Sequence, residues 1–409
     1  MLIPLIKFLS LKLYQKENII TIEKGEKMEI KILAATAPYK DGGNKREFFN
    51  ELSGEVAGIC YMPSTIDTIL NQPLEKKLKR AQTTKESGHH SVFDHEYVTL
   101  YLEDVPKMFA MLLNNEKVYT TSEKSARYTK MILEGNELNL FEKWVGIFEK
   151  LIIQKYGNQP YFAGNRVQKL AQENARYFTS VFTPTSLAYT VSYRQLNYIY
   201  CWLKNIDKNS NEYLEALKPT AKAFCEKIEK EGLVDEKLAE FGEQRDFSLF
   251  AKKDRVEYFG DVYSTSYEGS FASLAQAQRH RTLNYEFRNL KEKNYYVPKI
   301  IENSPLKEMW LEDMRKVDAI TPQGQLVQIY ERGTPESFIL KVRERLCTCA
   351  QLEIANQTKN TLEKYIEKTA DGEIKSMLEK YNNGARCTSG YKCKNPCGFK
   401  EGIDLSREI

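Results

Sequence analysis

Alternating apolar and polar positions mark two short strands in the first quarter of the chain. Ile30, Ile32 and Leu33 begin a strand-like run, and residues 96–102 alternate between two faces with a period of two. That period is typical of a half-buried strand. A helix is predicted to begin at residues 104–106, because proline is favoured in the first helical turn. The local unit is therefore a strand succeeded by a helix.

The same order of elements recurs in the second half of the chain. Residues 256–263 predict a strand, and residues 270–283 contain no proline or glycine and predict a helix. The two halves have low identity, so the repeat is one of layout. We predict an internal pseudo-repeat whose halves meet in the charged stretch 232–253.

Composition and charge describe an ordinary globular protein. The chain has 409 residues, enough for two or three domains, and 42% of them are hydrophobic. Its 60 basic and 56 acidic residues leave a net charge of only +4. We therefore expect no nucleic-acid partner, and no apolar run is long enough to predict a membrane span. Eight cysteines are few for this length and predict a reducing, cytoplasmic location.

The N-terminal segment differs in character from the rest of the chain. Residues 23–28 read Glu-Lys-Gly-Glu-Lys-Met, which a purine-rich ribosome-binding sequence would encode if it were translated ahead of a true start. We therefore predict that Met28 is the native first residue and that residues 1–27 are a non-native or disordered extension.

The candidate chemistry centres on a short basic motif. All four histidines fall in two segments, and His280 lies between Arg279 and Arg281. Helical spacing places Gln276, Arg279 and His280 on one face. Guanidiniums, an imidazole and an amide together suit a phosphate or an electron-rich heterocycle, because arginine offers planar, permanently charged donors. The alternative is a solvated basic face.

Arg279-His280-Arg281, preceded by Gln276, resembles the signature of the flavin-dependent thymidylate synthase (ThyX) family. In that signature, seven residues separate the tripeptide from a closing serine, and this chain has Asn289 at the position of the serine. The ending that is missing here resembles residues 122–128 of the first half, Ser-Glu-Lys-Ser-Ala-Arg-Tyr. There, conversely, residues 115–117, Asn-Glu-Lys, occupy the Arg-His-Arg position. Each half keeps the part that the other has lost.

Four further segments carry the resemblance. Residues 88–95, Gly-His-His-Ser-Val-Phe-Asp-His, are similar to a flavin-contacting segment of the family, and residues 190–197 with Arg194 resemble the flavin-side helix. Asn174-Ala175-Arg176 resembles the arginine that meets the nucleotide. Residues 345–354 resemble the family's Leu-Arg…Ala-Gln-Trp-Glu-Ile helix.

The resemblance implies roles for individual residues. Arg345 and Arg279 are the expected catalytic residues, because a positioned guanidinium stabilises negative charge that develops on a pyrimidine ring. The residues expected to bind the nucleotide are Gln276, Glu123, Ser125, Arg127, Arg176 and Arg345. The residues expected to bind the flavin are His89, Ser91, Arg279, His280, Arg281, Glu123 and Arg194. No metal is expected.

The resemblance also implies a fold, a reaction and an assembly. We expect an α/β (α+β) protein of two ThyX-like modules, each a mixed sheet flanked by helices, at residues 28–233 and 234–382, with a cysteine-rich tail at 383–409. The implied reaction is reductive methylation of dUMP to dTMP with FAD, methylenetetrahydrofolate and NADPH. Two fused modules per chain imply a homodimer that forms a pseudo-tetramer.

Several alternatives remain open at this stage. A related flavin enzyme acting at C5 of another pyrimidine nucleotide is one, and a catalytically silent protein that binds nucleotide or flavin is another. Cys387, Cys393 and Cys397 form no strong metal-binding pattern, and we favour unmetallated thiols over a zinc or iron–sulfur site. The basic run 76–80 predicts a solvated helix face rather than a nucleic-acid surface.

Overall fold

The computed structural model describes residues 28–36, 45–125, 132–162, 164–208, 211–240, 246–382, 384–385, 387, 390–393 and 407–409. The predicted extension 1–27 lies outside these residues, as does Arg127. Within the described part of the chain, no helix is long and apolar enough to span a membrane.

In the part of the chain that the structure describes, eight strands form two separate four-stranded sheets. The strands are β1 (Glu29–Ala35), β2 (Tyr97–Pro106), β3 (Tyr119–Glu123), β4 (Pro184–Ser192), β5 (Tyr258–Phe259), β6 (Tyr263–Ser270), β7 (Asn284–Asn289) and β8 (Leu326–Gly333). The helices are α1 (Lys45–Tyr61), α2 (Ile66–Leu70), α3 (Leu74–Glu86), α4 (Lys107–Leu113), α5 (Gly135–Tyr156), α6 (Arg166–Ala175), α7 (Tyr193–Lys204), α8 (Glu212–Lys230), α9 (Glu236–Glu240), α10 (Phe271–Ala277), α11 (Lys299–Glu302), α12 (Leu306–Lys316), α13 (Pro335–Arg345), α14 (Leu352–Lys368) and α15 (Gly372–Glu379).

The two sheets share one strand order. The first runs β1-β2-β4-β3 and the second β5-β6-β8-β7. In the two sheets, β2 and β6 lead into the seven-residue helices α4 and α10, and β4 and β8 lead into the longer helices α7 and α13. Sheets flanked by helices are therefore confirmed. The sheets are antiparallel and not mixed as predicted. β4 and β8 each run opposite to both of their neighbours.

Most of the predicted elements are present, with shifted ends in the second half. β1, β2 and α4 lie where the pattern predicts them. The strand predicted at 256–263 is instead the short β5 and then β6, which includes the predicted connection 264–269. The helix predicted at 270–283 ends at Ala277, because the chain turns there to pair β7 with β8. Propensity alone did not locate this turn.

Two apolar cores join the halves of the chain. The larger contains Leu100 of β2 and Tyr189 of β4 together with Ile329 of β8, all fully buried. In the smaller, Trp144 of α5 meets Trp310 of α12 edge to face, with ring centroids 4.8 Å apart. The two halves therefore pack directly against each other through both cores.

Candidate active site

A cleft lies between the two halves, at the ends of β2, β3 and β4 and beside α10. This central cleft encloses about 980 Å³, part of it open to solvent. It is lined by Asp104, Lys107, Glu123, Lys124, Ser125, Ile132, Arg176, Thr183, Pro184, Thr185, Ser186, Ala272, Ala275, Gln276, Arg279, Gln323 and Arg345. Glu123, Ser125, Arg176, Gln276, Arg279 and Arg345 were predicted as site residues, so six of them meet in one place.

The lining of the central cleft is strongly cationic. Five of its side chains are lysine or arginine, and only Asp104 and Glu123 are acidic. Such a wall attracts an anion, and its partial burial strengthens the attraction because water screens the charges less. The net charge of +4 predicted no such field, because a net charge does not record where the charged residues lie.

Lys107 is a cleft residue that the sequence did not reveal. It is the first residue of α4, and its amine makes an ion pair with Glu123 Oε1 at 2.5 Å. Thr185 Oγ1 donates to the same oxygen at 3.2 Å. Burial lowers the pKa of Lys107. The nearby charges of Arg279 and Arg176 lower it further, whereas the Glu123 carboxylate raises it. Lys107 belongs to no recognisable motif, so the sequence did not predict it as a site residue, although Pro106 before it predicted the start of the helix.

Arg176 is held by a chain of buried hydrogen bonds beneath the central cleft. Its Nη2 donates to Gln351 Oε1, which also accepts from Gln276 Nε2 at 2.5 Å. Gln351 Nε2 donates to the Tyr177 hydroxyl at 2.5 Å, and that hydroxyl donates to Glu353 Oε2 at 2.7 Å. The guanidinium therefore has a fixed position before any ligand arrives.

Glu353 closes this network from the second half. It accepts from the backbone N–H and the hydroxyl of Ser270, at 2.8 and 2.7 Å. Burial raises the pKa of Glu353.

The single helix expected over 345–354 is absent: α13 ends at Arg345, and α14 begins at Leu352 with Gln351 as its N-cap. With this break, Arg345 lines the cleft and Gln351 contacts Arg176 and Gln276, which line it.

Arg345 is oriented by two acceptors from the Arg-His-Arg region. Its Nε donates to His280 Nε2 at 2.6 Å, and its Nη2 donates to the Gln276 carbonyl oxygen at 3.2 Å. Burial lowers the pKa of His280 to about 2, with Arg345, Lys341 and Arg279 adding to the effect. The imidazole is therefore neutral, and its proton is on Nδ1 because Nε2 accepts. His280 points toward Arg345.

The residues predicted to bind flavin form two groups that a single chain does not bring together. Arg279 lines the central cleft, and Arg281 is exposed and donates to the Tyr119 carbonyl oxygen at 3.0 Å. His89 and Ser91 are exposed near Arg194, whose guanidinium pairs with Asp94. This second group lies at the Ser192 end of β4, whereas the cleft lies at the Pro184 end. Nine residues of strand separate them, roughly 26 Å.

The position equivalent to the central cleft in the second half is filled. Phe271 begins α10 as Lys107 begins α4, and Asn289 ends β7 as Glu123 ends β3. The Phe271 ring packs on Tyr213, with centroids 5.7 Å apart, and the Tyr213 hydroxyl donates to Asn289 Oδ1 at 2.6 Å. Phe250 and Phe287 complete this aromatic cluster. The described chain therefore has one such cleft, with apolar rings at the equivalent position.

The described residues include no group of three or more histidine, cysteine or acidic side chains arranged to hold a metal ion. Cys387 and Cys393 are free and exposed, and Cys397 lies outside the described residues. The C-terminal residues instead serve a structural role. Arg407 is buried and donates to the carbonyl oxygens of Thr348 and Ala350, in the loop between α13 and α14.

Comparison with known proteins gives one family match. Residues 50–227 match the model of a family described as thymidylate synthase complementing protein. Similar solved structures include a UMP/dUMP methylase, PolB, from Streptomyces cacaoi. Its complex with 5-Br dUMP is 12% identical, with 52% of this chain and 93% of that chain covered and a TM-score of 0.33. For its complex with 5-Br UMP the values are 12%, 53%, 92% and 0.30.

A search of curated protein sequences found no match. The matched segment 50–227 includes Glu123, Ser125 and Arg176 of the central cleft, whereas Gln276, Arg279 and Arg345 lie beyond its end. The family match thus covers the residues that the first half contributes to the central cleft and not those from the second half. Over residues 50–227, the chain is similar to the thymidylate synthase complementing protein family.

Proposed function

We propose that the protein is a flavin-dependent thymidylate synthase-like enzyme that reductively methylates dUMP to dTMP, with methylenetetrahydrofolate as carbon donor and NADPH as reductant. The observation that carries this proposal is the composition of the central cleft. Glu123, Ser125 and Arg176 from the first half meet Gln276 and Arg345 from the second. These five residues were predicted to bind the nucleotide from four motifs that lie far apart in the chain.

The cleft residues divide the work of binding and activation. Arg176 and the Ser125 hydroxyl offer donors for a phosphate, and Lys107 offsets the Glu123 carboxylate that would otherwise repel it. At the other side, Arg345 stabilises the negative charge that develops on the pyrimidine carbonyl and N3. The fixed contacts to His280 and to the Gln276 carbonyl oxygen hold this guanidinium in place for the reaction.

FAD, when bound, supplies the hydride and one-carbon chemistry. The exposed guanidinium of Arg279 suits an anionic cofactor at the mouth of the cleft. Arg281 contacts Tyr119, which pairs with Val191, so it lies nearer the Ser192 end of β4. His89, Ser91 and Arg194 lie too far away to reach the same cofactor within one chain. We propose that they face the cleft of a second copy, so that the working enzyme is a homodimer whose four modules form a pseudo-tetramer in the cytoplasm.

The proposed module boundaries, 28–233 and 234–382, are supported by the shared strand order of the two sheets. The alternative substrate, another pyrimidine nucleotide, was suggested by the altered position Asn289. Asn289 is bonded to Tyr213 and Glu212 and does not line the central cleft. We therefore prefer dUMP. The buried partners of Arg345 and Arg176 also argue against a silent binding protein, because simple retention of a nucleotide does not require an oriented guanidinium beside the ring.

The proposal is tested by the visible spectrum of the purified protein during titration with dUMP, and then by turnover with dUMP, UMP and dCMP. We expect a flavin spectrum that dUMP perturbs, and turnover that is fastest with dUMP. Arg194→Met should release flavin while dUMP binding measured by calorimetry persists, because Arg194 lies at the far end of β4. Colourless protein that FAD cannot reconstitute would contradict the proposal.

A further inference from the structure

Residues 114–118 of the first half occupy the place that the Arg-His-Arg region occupies in the second half. This segment lies between α4 and β3, and residues 278–283 lie between α10 and β7. Both helices have seven residues, so Asn115, Glu116 and Lys117 are the positional equivalents of Arg279, His280 and Arg281. We call residues 114–118 the brace segment, because their side chains hold the Arg-His-Arg region at both of its ends.

The brace segment holds the beginning of the Arg-His-Arg region through two buried amides. Gln278, immediately before Arg279, donates from Nε2 to Asn115 Oδ1 at 3.1 Å and to the Met111 carbonyl oxygen at 3.0 Å. Asn115 Nδ2 donates to the Tyr285 carbonyl oxygen at 3.0 Å. Asn115 is 8% exposed and Gln278 is 4% exposed, so water does not readily replace these bonds.

The brace segment also holds the end of that region. Lys117 Nζ donates to the Leu283 carbonyl oxygen and, at 2.8 Å, to Asn284 Oδ1. From the adjacent strand, the Tyr119 carbonyl oxygen accepts from Arg281 Nη1 at 3.0 Å. Residues 278–284, which carry Arg279 and His280, are therefore fixed at both ends by the first half of the chain.

The brace segment is itself anchored away from the cleft. Glu116 is fully buried, and its Oε1 accepts from the backbone N–H and the hydroxyl of Ser248, at 2.7 and 3.0 Å. The Glu116 carbonyl oxygen accepts from Gln195 Nε2 at 3.3 Å. These hydrogen bonds to α7 and to Ser248 restrict the movement of the brace segment. It can therefore act as a fixed reference for the residues it contacts.

We propose that the brace segment positions the active site: Asn115 and Lys117 set the location of Arg279 and, through His280, the orientation of Arg345. The inference rests on the proposed function. The first half has lost the Arg-His-Arg tripeptide, and the residues in its place support the tripeptide that the second half retains. A guanidinium stabilises developing charge only where it is held in advance, and displacements of about 1 Å are enough to reduce rates on the order of a hundredfold.

The test uses Lys117→Met, with Lys359→Met as the matched control. Lys359 has the same kind of contacts, donating to the carbonyl and side-chain oxygens of Asn382 in a region away from the central cleft. We expect Lys117→Met to increase deuterium uptake of unliganded protein in residues 278–284. In turnover, kcat should fall about tenfold while KM for dUMP changes little, because the lost interaction acts in the transition state. Lys117→Arg should restore most of kcat.

Asn115→Asp is the second variant, since it removes the donor to the Tyr285 carbonyl oxygen and keeps the acceptor for Gln278. Unchanged deuterium uptake at residues 278–284 in both variants would overturn the proposal. Increased uptake with unchanged kcat would also overturn it, because the contacts would then be structural only. If the wild type neither binds nor converts dUMP, the proposed function fails, and the uptake measurement alone still decides whether the brace segment holds the Arg-His-Arg region.

Discussion

At the scale of single residues, the central cleft depends on arginines whose partners are already in place. Arg345 is held by a neutral imidazole, and Arg176 by an amide that a tyrosine and a carboxyl group support in turn. Each arrangement uses buried polar groups for orientation, which is favourable where a guanidinium must stabilise charge at one point. These partners make the role of each arginine testable through a neighbour.

His280 offers the first prediction. His280→Ala removes the acceptor of Arg345 Nε and should lower kcat about tenfold or more, whereas His280→Gln retains an acceptor and should lower it much less. Because the pKa of His280 is about 2, the residue carries no charge above pH 5. The wild type and His280→Gln should therefore share one pH–rate profile between pH 5 and 8. A limb that is present in the wild type and absent in His280→Gln would contradict this.

Arg176 offers the second prediction. Arg176→Met should weaken dUMP binding by about 1.5–3 kcal/mol, the usual value of a hydrogen bond to a charged group, and should leave deoxyuridine binding unchanged. Calorimetric titration with the nucleotide and the nucleoside separates the two effects. Arg315→Met, at an exposed position on α12, is the control. Arg176→Lys is the variant to use if the buried methionine disturbs folding, and equal losses for both ligands would place Arg176 away from the phosphate.

At the scale of elements, a buried carboxyl group joins α1 to the start of β2. Glu96 is fully buried, and its Oε1 accepts from Ser53 Oγ at 2.5 Å. Burial raises the pKa of Glu96 to about 7. Between pH 4.5 and 7 the unfolded chain ionises this group and the folded chain does not, so stability falls as the pH rises. The hydrogen bond from Ser53 favours the ionised form of Glu96, but the effect of burial on the pKa is larger.

Glu96→Gln should remove this pH dependence. A shift from 4.5 to about 7 corresponds to roughly 3 kcal/mol at most. The variant should therefore match the wild type near pH 4.5 and unfold at higher urea concentration than the wild type at pH 8. Urea titrations at the two pH values measure the difference, with the exposed Glu75→Gln as control. A variant that is less stable than the wild type at pH 8 would show that the group is ionised and satisfied in the folded state.

At the scale of the whole molecule, two sheets of the same strand order produce a single central cleft within the described residues. The cleft takes its anionic-ligand side from β2, β3 and β4 and its Arg-His-Arg side from α10 and the turn after it. The equivalent position across the pseudo-repeat is occupied by the rings of Tyr213, Phe250, Phe271 and Phe287. The two halves have therefore become different, and each contributes one side of one site.

This asymmetry predicts one nucleotide per chain. Calorimetric titration with dUMP should give a stoichiometry of one. Light scattering should give a dimer, because Arg279 at the cleft and Arg194 near Ser192, both predicted to bind flavin, lie at opposite ends of β4 and need a second copy to meet. Two nucleotides per chain would show that the aromatic cluster opens. An active monomer that retains flavin would contradict the assembly.

Local patterns in the sequence were enough to predict the strand-and-helix repeat, and the resemblance of short motifs to a known family was enough to predict six residues of the cleft, among them Glu123, Arg176 and Arg345. Such motifs record spacing along the chain, which a strand or helix converts directly into geometry. Only the tertiary structure added Lys107 to the cleft and showed that the residues predicted to bind flavin form two separate groups. It also showed that residues 115–117, which lack the Arg-His-Arg motif, contact the region of the second half that retains it. These features depend on distances between elements, which side-chain packing sets and which no spacing along the chain records.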